Sequence, residues 1–196
     1  MKQNKYDRAI VRAYRSDNVV DSAAPHTLYN ARAAGISGLD IYMFPCPHCS
    51  DAVDQVKTML AGLESYNASF FDMLWLDIED TSQHAYWGPN SQVNRQWMQS
   101  LYQAAVGAVG ASRVGIYSSH TMWDLIFSET DWACCQSAPL WYAEYDGGIS
   151  FSDFEPFGGW TSPVGKQFAG SVTLCSAGVD ESYFMDNWRE NSKGMK

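Results

Sequence analysis

The stretch Met73-Leu74-Trp75-Leu76-Asp77-Ile78-Glu79-Asp80 decides how this chain reads, because an apolar run with the length of a buried strand closes on two carboxylates, Asp77 and Glu79. Strand side chains alternate between faces, which puts Trp75, Asp77 and Glu79 on one side and Leu74, Leu76 and Ile78 on the other. Two residues of strand rise set the Cβ atoms of the two acids roughly 6.5 Å apart. At that spacing each carboxyl feels the other's charge and their pKa values separate. A protonated acid beside a carboxylate is the pair that hydrolysis of a glycosidic bond requires.

Working outward, short apolar runs alternate with helical patterns from end to end, with no linker or repeat between them, so 1–196 reads as one α/β domain. Seven strands are predicted, at 8–14, 39–44, 73–79, 113–117, 140–143, 166–169 and 179–184. Helices are predicted at 23–34, stopping at Gly35, at 51–63 with Val53, Val56, Leu60 and Leu63 on one face, and at 90–106 with Val93, Trp97, Leu101 and Ala105 on one face. The alternation allows an open doubly wound sheet or a β/α barrel. The acids favour an irregular TIM-like barrel, since they stand at the carboxyl end of their strand and other strand ends are also polar or aromatic: Asp40 and Tyr42, Tyr117 to Ser119, Glu144 to Asp146. No glycine-rich phosphate loop follows the first strand. A barrel of this kind has eight strands, so the first is expected to be missing.

Composition narrows the function classes. A net charge of −9 argues against nucleic acid as a partner. No stretch approaches the roughly 20 apolar residues of a membrane span, and Met1 to Arg8 carry no apolar signal core. Eight Trp, eleven Tyr and nine Phe suit a cleft that stacks flat rings such as sugars. Five cysteines, Cys46, Cys49, Cys134, Cys135 and Cys175, point to an oxidising compartment and leave one thiol over.

A second acidic signal, Val179-Asp180-Glu181, lies near the last strand, where Asp180 is placed to approach the pair across a barrel mouth. Cys46-Pro47-His48-Cys49 resembles a redox centre, but it follows Tyr42-Met43-Phe44-Pro45 in a loop, and a local structural disulfide is the stronger expectation. It supplies half a zinc site at most, so no metal and no cofactor are expected. Cys175 is expected to close a loop to Cys134 or Cys135. Ser118, Ser119 and His120 lack a nucleophile elbow, and His120 is expected to be a cap or turn residue. In 141–145, Trp141, Ala143 and Tyr145 share a face, an arrangement that leaves room for a ligand between two aromatics.

Together these segments resemble the glycoside hydrolase family 25 lysozymes, muramidases of the Chalaropsis type, and most closely their nematode and protist branch. The resemblance rests on Ala9 to Tyr14, Asp40 to Pro47, Leu74 to Glu79, Val114 to Ser119, Leu140 to Tyr145 and Val179-Asp180, in that order over about 175 residues. It implies an irregular β/α barrel that cuts the β-1,4 bond between N-acetylmuramic acid and N-acetylglucosamine in bacterial peptidoglycan. By the same resemblance Glu79 is the general acid, Asp77 its partner and Asp180 the acid of the last strand. Tyr42, Tyr117, Trp141 and Tyr145 then line the groove, with Asp40 counted among the substrate-binding residues. The family's first strand carries Asp-x-Ser, and this chain opens on what resembles the second. The resemblance further implies a monomer that is secreted or lysosomal or phagosomal.

Two other classes stay open at this point: a wall-binding protein that keeps the groove and has lost part of the acidic cluster, and thiol-disulfide exchange at Cys46 and Cys49. The acidic pI, about 4.7, predicts an optimum in acid, where repulsion from an anionic wall weakens and Glu79 keeps its proton.

Overall fold

The computed structural model describes residues 6–174, 176–186 and 188–189. Its strands are β1 (Arg8–Arg15), β2 (Val19–Val20), β3 (Gly38–Met43), β4 (Leu74–Asp77), β5 (Val114–Ser118), β6 (Leu140–Ala143), β7 (Gly165–Leu174) and β8 (Ala177–Phe184). They form one sheet in the order β2-β1-β3-β4-β5-β6-β7-β8. From β1 through β7 the neighbours run parallel, while β2 and β8 pair antiparallel on the two edges. The helices α1 (Ala24–Ala33), α2 (Ala52–Glu64), α3 (Ser91–Val109) and α4 (His120–Phe127) fill the connections. The result is a mixed α/β fold whose sheet curls into a half-barrel. Residues of β1 and β8 face each other across one cleft, and no ladder joins these two strands.

Each element follows from local chemistry. The Asp51 side chain accepts from Val53 N to start α2, and Asn90 Oδ1 accepts from Gln92 N and Val93 N to start α3. Gly110, at φ 90°, ends α3 with a backbone turn that other residues resist. Outward from the sheet, Leu74, Leu76 and Ile78 join Ile41, Ile116 and Leu140 in the larger apolar core under the helices. Inward, Trp75 packs with Tyr117, Trp141 and Trp188 in a second cluster that plugs the base of the half-barrel.

That plug predicts one sensitive position. Gly115 faces inward on β5, and a Cβ there would lie 2.3 Å from Trp75 Cζ3. Trp75 is fully buried against three other aromatic rings and has no room to retreat. Gly115→Ala is expected to cost about 1–3 kcal/mol, read as a lower urea midpoint. An unchanged midpoint would show that the plug is loose.

Several expectations need correcting. Strand β2 is missing from the predicted seven because two residues carry no periodicity. Helix α4 is missing from the predicted helices; His120, expected to be a cap or turn residue, is its first residue, and Ser119 is its N-cap, its Oγ accepting from Met122 N. Val53 and Val93, assigned to buried faces, are exposed, and the faces that pack inward instead carry Gln55, Val56, Met59 and Leu63 on α2 and Asn94, Met98, Leu101 and Ala105 on α3. The polar members of those faces are held by buried backbone: Gln55 bonds both N–H and C=O of Cys46, and Asn94 Nδ2 donates to Gly88 O and Ile126 O. Cys46 and Cys49 form a disulfide, as the loop context predicts. Cys134 and Cys135 are free thiols, and the expected bridge from Cys175 lies outside the described residues.

Candidate active site

Strand β4 ends at Asp77, but Ile78 N still donates to Tyr117 O at 2.8 Å, so the alternation continues for two residues past the ladder. Asp77 and Glu79 therefore enter the same cleft, about 500 Å³ in volume. Tyr42 from β3, Tyr117 from β5, Trp141 from β6, Tyr145 just beyond it and Asp180 from β8 line the same space, as the sequence pattern expects. The third acid of the stretch, Asp80, turns away. Its carboxylate accepts from Thr81 N, Tyr86 N and Trp87 N and folds the loop that leads to α3.

Asp77 is buried, and burial, then the charge of Glu79, then a hydrogen bond with Glu79 push its carboxyl well above the usual range. Glu79 is half-buried and is also raised, first by burial and further by the charge of Asp180, while the bond from Asp77 works the other way. The two carboxyls thus behave as one unit that retains a proton where an ordinary acid has lost it. Burial and the Asp77 charge push the Tyr42 hydroxyl up to about 12, and burial with the nearby acids raises Tyr117 further. Both phenols stay protonated in the working range. Among the described residues, Asp77 Oδ1 and Trp141 Nε1 are buried with no hydrogen-bond partner, an acceptor and a donor in the wall of the cleft.

Asp40 does not join them. It is fully buried between Arg8 and Arg189, and accepts from Met73 N and Trp75 Nε1. Asp40 stands two residues before Tyr42 on β3, beside the buried Trp75 ring that donates to it, and is absent from the lining of the cleft. Its inward direction was legible, but its depth was not.

Arg12 and Gln167 are among the cleft residues that went unpredicted. Arg12 on β1 reaches Asp21 at 2.9 Å, and Gln167 on β7 bonds Tyr117, Tyr145 and Asp180. Alternation alone was the available signal for Gln167, since its neighbour Lys166 points outward to Asp146 and Asp153. Ser118 is buried and donates to Ile78 O, which removes it as a nucleophile. The Cys46–Cys49 bridge is absent from the lining of this cleft.

Known proteins resemble this chain in sequence and in fold. The family model described as lysozyme-like protein 1 matches residues 1–168. The probable GH family 25 lysozyme 5 of Dictyostelium discoideum is 41% identical over 183 residues, spanning 93% of this chain and 82% of the relative. Probable GH family 25 lysozyme 2 of the same organism is 43% identical over 184 residues, spanning 94% and 82%. Among solved structures, a family GH25 lysozyme from Aspergillus fumigatus superposes with a TM-score of 0.77 at 18% identity, covering 98% of this chain and 88% of that one, which speaks to the fold. With a family model over most of its length and relatives above two-fifths identity, the chain belongs to the glycoside hydrolase family 25 lysozymes, the muramidases.

Proposed function

We propose that this muramidase cuts the β-1,4 bond between N-acetylmuramic acid and N-acetylglucosamine with Glu79 as the proton donor. The observation that carries the assignment is the placement of Asp77 and Glu79 side by side in one cleft with Asp180, where burial and neighbouring carboxylate charge raise both. Asp77 is the more deeply buried, so Glu79 is the member that meets the glycosidic oxygen. As Glu79 gives its proton to the leaving oxygen it becomes a carboxylate, the Asp180 carboxylate balances the positive charge growing on the sugar, and water adds at the anomeric carbon and returns a proton to Glu79. Tyr42, Tyr117, Trp141 and Tyr145 supply flat, protonated walls for the sugar rings. The unpartnered Asp77 Oδ1 and Trp141 Nε1 suit a ligand rich in hydroxyls. The seam between β1 and β8 supports the reading that the first strand of the family barrel has no counterpart among the described residues. The Cys46–Cys49 bridge supports a secreted, lysosomal or phagosomal setting.

The pH dependence has a definite sign. Both carboxyls are raised, so the catalytic proton persists above the pH at which an exposed glutamate is ionised, and activity is lost as pH rises through the upper titration of the pair. Clearing of a Gram-positive wall suspension by the purified chain, followed from about pH 4 to 8, is expected to peak in acid. A peak above about pH 7.5 contradicts the assignment, and binding to walls without new reducing ends would favour a wall-binding protein instead.

A further inference from the structure

Gln167 is 6% exposed in the wall of the cleft, and no step above uses it. Its Oε1 accepts from Tyr117 OH and from Tyr145 OH, both at 2.5 Å, and its Nε2 donates to Asp180 Oδ2 at 3.2 Å. The opposite amide orientation would set an oxygen against the Asp180 carboxylate, so the charge on Asp180 decides which way the amide faces. Each phenol owns one proton; the two hydroxyls also stand 3.4 Å from each other, and the shorter contacts to Oε1 draw both protons there. The two hydroxyl oxygens are left with lone pairs facing the cleft.

Asp180 is held from the other side as well. The β7–β8 ladder shifts register between Ala169 and Val172, Ser171 takes φ 59°, and its N–H donates to Asp180 Oδ1 at 2.8 Å. The carboxylate is therefore clamped by one side-chain donor and one backbone donor, with its remaining lone pairs free for a ligand.

We propose that Gln167 is a positioning residue that sets the direction of every proton along this wall, making Tyr117, Tyr145 and Asp180 an edge of acceptors that selects hydrogen-bond donors on the substrate, hydroxyl and amide N–H groups. It also keeps the Asp180 anion at a fixed station beside the acid pair. This rests on the muramidase reading of the cleft and deepens it. The charged and titratable groups around the pair are Tyr42 from β3, Tyr117 from β5, Tyr145 after β6, Asp180 from β8, and Arg12 with Asp21 on the β1 side. Glu181, also on β8, is engaged by Tyr6 OH.

Two substitutions separate positioning from packing. Gln167→Met keeps the length and removes the acceptor and the donor. Gln167→Glu keeps an acceptor for the tyrosines and sets a new acid against Asp180. Carboxyl-carbon NMR titration of Asp77 and Glu79 in the full chain, with kcat and KM on soluble peptidoglycan fragments against pH, reads both. Releasing Asp180 lowers the charge felt by Glu79, so Gln167→Met is expected to move its titration and the alkaline limb of activity down, with KM rising about tenfold. Gln167→Glu adds negative charge and moves both up, by about one pH unit. Shifts of opposite sign are outside the reach of a residue that only fills space. Wild-type titrations in both folded variants, or shifts in the same direction, would overturn the proposal. Tyr145→Phe, at an exposed position, guards against a folding failure: its KM is expected to rise several-fold, and an unchanged KM also counts against the acceptor edge. Opposite titration shifts in a chain that cuts no wall would leave the role of Gln167 standing and remove the muramidase reading; normal lysis with unmoved titrations would do the reverse.

Discussion

Glu79→Gln is expected to lower the lytic rate by about 10²–10⁴-fold while leaving the protein folded, because a group that transfers a proton in the transition state contributes in that range. Thermal melting supplies the second half of the test. A carboxyl raised in the folded state binds its proton more tightly there than in the unfolded chain. Its stabilising contribution is complete below the unfolded pKa, near 4.3, and is lost as pH rises through the folded one. At neutral pH the wild-type pair is a burden on the fold, and the glutamine lifts it. The variant should melt above wild type at about pH 7, with the gap closing toward pH 4. A variant that loses activity and melts lower has lost its shape, and one that clears walls at the wild-type rate removes Glu79 from the mechanism. Asp77→Asn is expected to follow the same pattern with part of the activity retained.

Asp40→Ala should reverse that profile. The Asp40 carboxylate is fully buried between two guanidinium groups and accepts two further hydrogen bonds, so its removal takes this partner from Arg8 and the Trp75 indole N–H and leaves Arg189 with Asp72 alone. Removing one member of a buried charge network costs about 3–5 kcal/mol. The urea midpoint should therefore fall sharply, with KM for wall fragments unchanged in the fraction that stays folded. A raised KM at unchanged stability would return Asp40 to the groove, where the sequence pattern had placed it.

The difference between these two aspartates shows how far the sequence reaches. Strand periodicity assigns a face, and it put Trp75, Asp77 and Glu79 on one side, the side that faces inward. It says nothing of height along the barrel axis, which depends on the register between neighbouring strands. One layer separates a ligand-facing tyrosine from a buried ion pair. Helix α4 escaped for a related reason: eight residues that begin with Ser119 as cap resemble a turn until Trp123, Ile126 and Phe127 meet the core. Gln167 carries no pattern of its own, because its significance lies in three partners on three other segments.

The curled sheet also carries a hazard in storage. β2 covers β1 through Tyr14 and Arg15, so the rest of that rim is a template on which another polypeptide can extend the ladder. The flanking charges act as guards, Arg8 and Arg12 on the β1 rim and Asp180 and Glu181 on β8, each repelling its own kind in a neighbouring molecule. Salt screens those charges and therefore invites the rims to associate, and concentrated stocks held at high ionic strength should be the first to turn turbid.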